Sequence, residues 1–464
     1  MQKRKGQRKG REPVSGLFPR KLALNILNRV ESSSLTLDRL VEEALTQHAE
    51  MEKRDRALVT ALTYGVLRRR LQLDAVIRSF VKSTGKIRME VRNILRMAVF
   101  QIRFMDRIPD SAAVNTAVNL AKQAAPPWEV KFVNALLRNV VRTPDITGIP
   151  EGPVERPAIM AQTFSFPEWL LKRWVDRWGT EETLALCEAM NAVPPLMIRV
   201  NTLKTTRRGL MERLDRETAV VSACHLSDEG VILERLPGRI PDLSAFRDGL
   251  FQVQDEAAQL VTRFLDPRPG ETVLDACSGL GGKTGHMAQR MQNTGQITAL
   301  EWDRGRLEKS TVEMARLGVQ IVSPYRHDLF RELPDVFQKA FHRVLLDAPC
   351  SGLGVLRRNP DGKWKLFPEK LSENRERQLQ FLTRLSETVM PGGVLVYGVC
   401  SMEPEETDAV VSDFLKDHPA FSLETPEGLP AELAPLMVSE GVLRTWPHRQ
   451  GTDGFFAARM ICRA

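Results

Sequence analysis

The chain has 464 residues, 42% hydrophobic and 27% charged, the balance of an ordinary folded protein rather than a disordered or fibrous one. Single cores stop growing at roughly 250 to 300 residues, so two or three domains are expected. No apolar run approaches the ~18 residues of a bilayer span. The amino terminus, Met1 to Arg11, is basic but lacks the apolar segment and cleavage site of a secretory signal, so a cytoplasmic protein is expected.

Net charge is +8, and residues 1–145 hold 28 Lys and Arg against 14 Asp and Glu, so the excess lies in the front third. A basic module fused to a nearly neutral one points to polyanion docking beside chemistry. Six cysteines (Cys187, Cys224, Cys277, Cys350, Cys400, Cys462) are spread without the close pairs of a zinc site, and no metal is expected. Cys187, Cys224 and Cys462 read as small buried apolar residues.

From Arg20 to Arg142 apolar residues recur at helical spacing, as in Leu22, Ala23, Ile26, Leu27 and Val30, or Phe132, Val133, Leu136, Leu137 and Val140. This predicts a helical bundle in which Arg68, Arg69, Arg70, Arg92 and Arg96 are solvated and free to meet phosphates. A Pro- and Gly-rich stretch from Pro144 to Pro157 marks a seam. Helix is expected from about Phe166 to Met190, an extended segment at Leu196–Asn201, and small β-rich turns up to Asp255. From Gly270 onward short strands alternate with helices: Thr272–Ala276, Ile297–Glu301, Gln320–Ser323, Val344–Asp347, Val394–Tyr397 and Phe455–Met460. Such alternation implies a parallel or mixed sheet covered on both faces, with ligands at the carboxyl ends of its strands.

The residues after those strands carry chemistry. Asp275-Ala276-Cys277-Ser278-Gly279-Leu280-Gly281-Gly282-Lys283-Thr284 is a glycine-rich turn into a helix, suited to close approach of a ligand. Glu301, one strand later, has the spacing of a ribose-binding carboxylate. Asp328 follows the third strand and could receive an adenine amino group. A phosphate-binding loop is excluded because its first glycine would fall on Cys277. A zinc deaminase is excluded because the second cysteine of its motif would fall on Leu353.

Asp347-Ala348-Pro349-Cys350-Ser351-Gly352 and Tyr397-Gly398-Val399-Cys400-Ser401 place two thiols at the same sheet edge. A thiolate added to carbon 6 of a cytosine makes carbon 5 enamine-like, able to attack a methyl sulfonium. The adduct must then lose a proton and expel the enzyme, which gives a second acid/base group a purpose.

At these residues the chain resembles the cytosine-5 RNA methyltransferases of the RsmB (Fmu/Sun) family, which act on 16S ribosomal RNA. The front domain resembles the antitermination factor NusB through Tyr64-Gly65-Val66-Leu67-Arg68, Ile108 to Asn115 and Phe132 to Arg138. Further matches are Arg199-Val200-Asn201, Val253-Gln254-Asp255, Arg357-Arg358-Asn359-Pro360-Asp361 with Trp364, and Asp453-Gly454-Phe455-Phe456. The resemblance implies an all-helical NusB-like domain followed by a Rossmann-like methyltransferase domain with a mixed, mainly parallel sheet. The expected organisation is a basic tail (1–15), the NusB-like domain (16–143), a linker (144–160), a small α+β RNA-recognition subdomain (161–250) and the methyltransferase domain (251–464).

It further implies Cys400 as nucleophile, Cys350 as the residue assisting proton loss and release, and Asp347 as a hydrogen-bonding partner of the base. Cys277, Ser278, Gly279, Leu280, Gly281, Gly282, Lys283, Glu301, Asp328 and Asp347 would hold S-adenosylmethionine. The implied partner is 16S ribosomal RNA, bound by a monomer without a membrane; transfer RNA, another ribosomal site, and a non-catalytic RNA-binding role are the alternatives. The chain departs from the family pattern at Ser278-Gly279-Leu280, where Ala-Ala-Pro is usual, at Gly398-Val399, where Ser-Thr is usual, and at Glu301, where Asp is commoner.

Overall fold

A computed structural model describes residues 16–81 and 87–463, which form two compact units. The predicted basic tail, 1–15, lies outside the described residues.

The first unit comprises the chain up to Cys187 together with Asn359–Trp364. Its apolar stripes do form helices, from Leu17–Ser32 through Pro127–Arg142, around a core containing Leu27, Leu62, Leu95 and Leu137. Gly65 lets two of them touch, since a Cβ there would lie 2.0 Å from the Phe100 ring. The expected helix after Phe166 is two, Glu168–Trp178 and Thr180–Asn191, broken at Gly179, whose φ of 80° suits glycine. Asn359–Trp364 belongs here through its hydrogen bonds: Leu37 N donates to Asp361 Oδ2 at 3.1 Å, Lys363 Nζ to Arg68 O at 3.0 Å and Trp364 Nε1 to Leu67 O at 2.7 Å.

The expectation of free arginines fails in this unit. Arg96 is 1% exposed and bonds Asp74 with two nitrogens at 2.7 Å, Glu31 at 2.6 Å and Asn93 at 2.9 Å. Arg68 is buried; Arg69 lies over the Phe104 ring and Arg70 over Trp364; Arg92 donates to the Ile87 carbonyl. Helical spacing places these side chains beside the apolar stripe, but carboxylates distant in sequence draw Arg96 inward, where planar bidentate pairing compensates for lost hydration. The exposed cations lie elsewhere. On the helix Pro127–Arg142, Trp128, Lys131, Arg138 and Arg142 recur at intervals that keep them on one exposed face. Its only acidic residue, Glu129, is turned inward against Arg88.

The second unit, residues 188–358 and 365–464, holds two sheets. The smaller is antiparallel, in the order β2-β3-β1-β4, from β1 (Leu196–Val200), β2 (Val220–Ala223), β3 (Gly230–Arg235) and β4 (Phe251–Val253). The larger contains β5 (Thr272–Ala276), β6 (Gln296–Glu301), β7 (Val322–Arg326), β8 (Phe341–Asp347), β9 (Val389–Val399), β10 (Phe421–Leu423), β11 (Met437–Ser439), β12 (Val442–Thr445) and β13 (Phe455–Cys462). Its order is β11-β12-β13-β9-β8-β5-β6-β7, with β10 also paired to β13. Strands β5 to β9 are parallel and β13 runs antiparallel to β9, so the sheet is mixed and mainly parallel in its centre. The chain leaves β5 for β6 on one side and returns to β8 on the other. That reversal opens a crevice at the carboxyl ends of β5 and β8.

Candidate active site

A cavity of about 900 Å³ occupies this crevice, within the range of small-molecule sites. Its lining includes Cys277, Gly279, Lys283, Glu301, Asp328, Asp347, Cys350 and Cys400. Ser278, Leu280, Gly281 and Gly282 do not line it. Ser278 is buried, Leu280 is exposed, and Gly281 packs on the helix Arg304–Leu317, where a Cβ would meet Ser310 Oγ at 2.4 Å. Gly282 begins the helix that follows.

The turn after β5 is drawn tight by its own backbone. Cys277 has φ 104°, Gly279 57° and Gly281 81°, so three of five consecutive residues sit on the positive side. Gly279 therefore suits its position better than the usual Ala would. The Gly279 and Asp303 N–H groups donate to the two oxygens of Glu301, at 3.0 and 2.9 Å, fixing that carboxylate at the end of β6. Below the turn, Asp275 is buried and accepts from Thr284 Oγ1 at 2.6 Å. Burial pushes its carboxyl up to about 7, with Asp347 and Glu301 adding to the rise and the Thr284 bond and Lys283 opposing it. Burial likewise raises the Cys277 thiol, reinforced by Asp347, Glu301 and Asp275, so this cysteine lines the cavity as an inert wall.

Lys283 Nζ donates to Asp347 Oδ2 at 2.7 Å and lies 5.0 Å from the Phe455 ring centroid. Beyond Asp347, the turns after β8 and β9 bring Cys350 Sγ and Cys400 Sγ to 3.3 Å. The Cys350 thiol is held well above its ordinary range, first by its bond to the Cys400 sulfur, then by burial and by the charges of Cys400 and Glu406. The Cys400 carbonyl accepts from Gly354 N at 2.9 Å, and Gly354 O accepts from Gly454 N at 2.9 Å. A Cβ on Gly354 would strike Gly454 O at 1.9 Å, so this pinning requires glycine.

Sequence reasoning missed two groups of cavity residues. Trp302 and Phe330, 62% and 52% exposed, offer flat apolar faces beside Glu301 and Asp328; their adjacency to those carboxylates was the available signal. Asp255 and Asp453 also line the cavity and are held by two arginines. Arg357 Nε and Arg358 Nε donate to the two Asp453 oxygens at 2.7 Å, and Arg358 reaches Asp255 at 2.6 Å. Three distant motifs thus meet in one charge network. Burial and the neighbouring Asp255 raise the Asp453 carboxyl, while both arginines oppose that rise.

The donor set fits a nucleoside-bearing cofactor: carboxylates at the ends of successive strands for hydroxyl and amino groups, apolar rings for a purine, and a cavity large enough to admit a base as well. The fold and cavity define a Rossmann-like, S-adenosylmethionine-dependent methyltransferase. Residues 262–461 match the family described as 16S rRNA methyltransferase RsmB/F, residues 18–142 the NusB family, and residues 166–237 the RsmF/B-like ferredoxin-like domain. A probable ribosomal RNA small subunit methyltransferase B of Bacillus subtilis is 35% identical over 95% of this chain and 98% of its own. A ribosomal RNA small subunit methyltransferase B of Pseudomonas syringae is 31% identical over 96% of each. The crystal structure of PH0851 superposes with a TM-score of 0.80 at 28% identity, covering 98% of this chain and all of that one. The chain belongs to the RsmB/F methyltransferase family.

Proposed function

We propose that this protein methylates carbon 5 of a cytosine in 16S ribosomal RNA through a covalent cysteine adduct. The observation that carries the reading is the pair of thiols 3.3 Å apart, facing the cavity that Glu301, Asp328 and Asp347 also line. When bound, S-adenosylmethionine supplies an electrophilic methyl group on a sulfonium. Cys277, Gly279, Glu301 and Asp328 would hold it, with Glu301 presenting a carboxylate already oriented by two backbone N–H groups.

Cys400 attacks carbon 6, and electron density moves toward carbon 5. Asp347, tied to Lys283, accepts from the exocyclic amino group and orients the ring. Cys350 is kept as a thiol at the outset and does not compete as a nucleophile. As the ring takes up the electron pair, Cys350 passes its proton to the ring nitrogen; the thiolate so formed removes the carbon-5 proton after methyl transfer, and the ring proton leaves to solvent as Cys400 departs. Expulsion of the Cys400 thiolate then restores the ring and the enzyme.

The substrate assignment to 16S ribosomal RNA rests on the family and on the names of the relatives. The exposed face of Trp128, Lys131, Arg138 and Arg142 suits phosphate contacts with a stacking ring at one end. A cytoplasmic setting accords with RNA as substrate; among the described residues, no helix is long and apolar enough to cross a membrane.

A denaturing gel of each variant with substrate RNA and S-adenosylmethionine tests the mechanism. Cys400→Ala should abolish methyl transfer without an adduct, whereas Cys350→Ala should accumulate a protein–RNA species. An adduct with the first and none with the second reverses the assignment, and full turnover by both rejects covalent catalysis. Bisulfite sequencing of RNA from a deletion strain tests the substrate: loss of a methyl mark from 16S RNA is expected, and loss only from transfer RNA rejects it.

A further inference from the structure

Glu406 lies outside the cavity lining and is fully buried, yet it touches both thiol-bearing turns. One carboxylate oxygen accepts from Ser351 N at 2.7 Å, Asn374 Nδ2 at 2.7 Å and Gln378 Nε2 at 3.4 Å. The other accepts from Ser351 Oγ and Ser401 Oγ, each at 2.5 Å. Ser351 follows Cys350 and Ser401 follows Cys400. The two hydroxyls lie 3.3 Å apart, as do the two sulfurs one residue earlier. The main chain of Glu406 is fixed as well, its carbonyl accepting from Tyr397 OH at 2.6 Å.

These donors are neutral. A buried carboxylate without a cation partner is costly unless its lone pairs are filled, and here five donors fill them. From this geometry we infer that Glu406 is a positioning residue, clamping the turns after β8 and β9 so that Cys350 and Cys400 are presented to one base in a fixed register. The inference rests on the two-thiol mechanism proposed above. Glu406 never touches the reacting atoms; it acts through Ser351 and Ser401. Its negative charge also opposes ionisation of Cys350, favouring the starting state that mechanism uses. The clamp places a hydroxyl immediately after each thiol, in a chain whose Gly398-Val399 carries none before Cys400.

The test compares Glu406→Ala and Glu406→Gln in the full chain. A displacement of about 1 Å at a reacting group can cost a hundredfold in rate. The Ala variant should lose roughly ten- to a hundredfold in kcat while its S-adenosylmethionine affinity, measured by calorimetry, and its KM for RNA stay within about threefold. The Gln variant retains an acceptor for Ser351 N and Asn374, and the serine hydroxyls can rotate toward its amide, so it should recover most of that loss. A folded Ala variant with unchanged kcat overturns the inference. If the Ala variant does not bind cofactor, Ser401→Ala removes a single arm of the clamp and should lower kcat severalfold; an unchanged rate there overturns the inference too. Adding Glu406→Ala to Cys350→Ala separates this inference from its foundation. Adduct forming at the same rate with and without Glu406 rejects the clamp alone, whereas no adduct in Cys350→Ala itself rejects the two-thiol mechanism and the inference with it.

Discussion

The two units bury polar charge for different ends. In the helical unit, Arg96 meets Glu31, Asp74 and Asn93, and this network ties helices together. In the catalytic unit, Asp275, Asp453 and Glu406 are buried in or directly behind the walls of one cavity, and each holds a segment that faces it. Similar chemistry serves packing in one place and aim in the other. Substitutions should therefore separate stability from activity according to the unit they fall in.

The largest stability effect should come from Arg96→Ala, which removes the bidentate partner of Asp74 and leaves Glu31 with Arg70 at 3.8 Å, and should destabilise the helical unit by about 3–5 kcal/mol. Urea unfolding reads this loss, and a cost below about 1 kcal/mol would mean that the network does not hold the bundle. Asp275→Asn should act with the opposite sign. The folded carboxyl titrates near 7 against an ordinary 3.8, so the folded state binds the extra proton, and the stability this confers is present in full below about pH 4 and lost as pH rises through 7. The Asn variant should thus gain a few kcal/mol over the wild type, growing from pH 5 to 7 and levelling off above it. Melting curves across that range check this, and a pH-independent difference would contradict it.

Smaller effects belong to binding. Glu301→Ala removes charge-assisted bonds worth about 1.5 to 3 kcal/mol each before compensation by water, so cofactor affinity should fall at least about tenfold in calorimetry. Unchanged affinity would place the ribose elsewhere. The smallest effect concerns the helical unit's outer face. Replacing Lys131, Arg138 and Arg142 together by Gln should reduce the slope of log affinity against log salt by about 2, since each neutralised phosphate on a single strand adds roughly 0.7 to it. A slope equal to the wild type's would move RNA docking to another face.

How much of this was legible in the sequence differs by feature. Strands β5 and β6 match their predicted spans to within a residue because short apolar runs there end at turn residues. Strand β9 starts five residues before its expected position, since Met390-Pro391-Gly392-Gly393 looks like a loop and yet lies within the strand. Strands β10, β11 and β12 are three or four residues long, too short for a periodic signal. Among the candidate residues that line the cavity, strand-end position brought out Glu301, Asp347, Cys350 and Cys400. The carboxylates that bury Arg96 lie 22 and 65 residues away, and Glu406 reaches Ser351 and Asn374 across 55 and 32 residues; local periodicity carries no trace of such pairings.

The large sheet ends on β7 and β11, and neither edge offers another chain a good template. Strand β7 carries Pro324, which has no N–H to donate, between the exposed side chains of Ser323 and Tyr325. Strand β11 is three residues long and shifts register against β12. Unpaired strand edges are where folded proteins join into aggregates, and short, proline-bearing or irregular edges suppress that joining. The sheet that organises this catalytic cavity thereby guards its own margins against such joining.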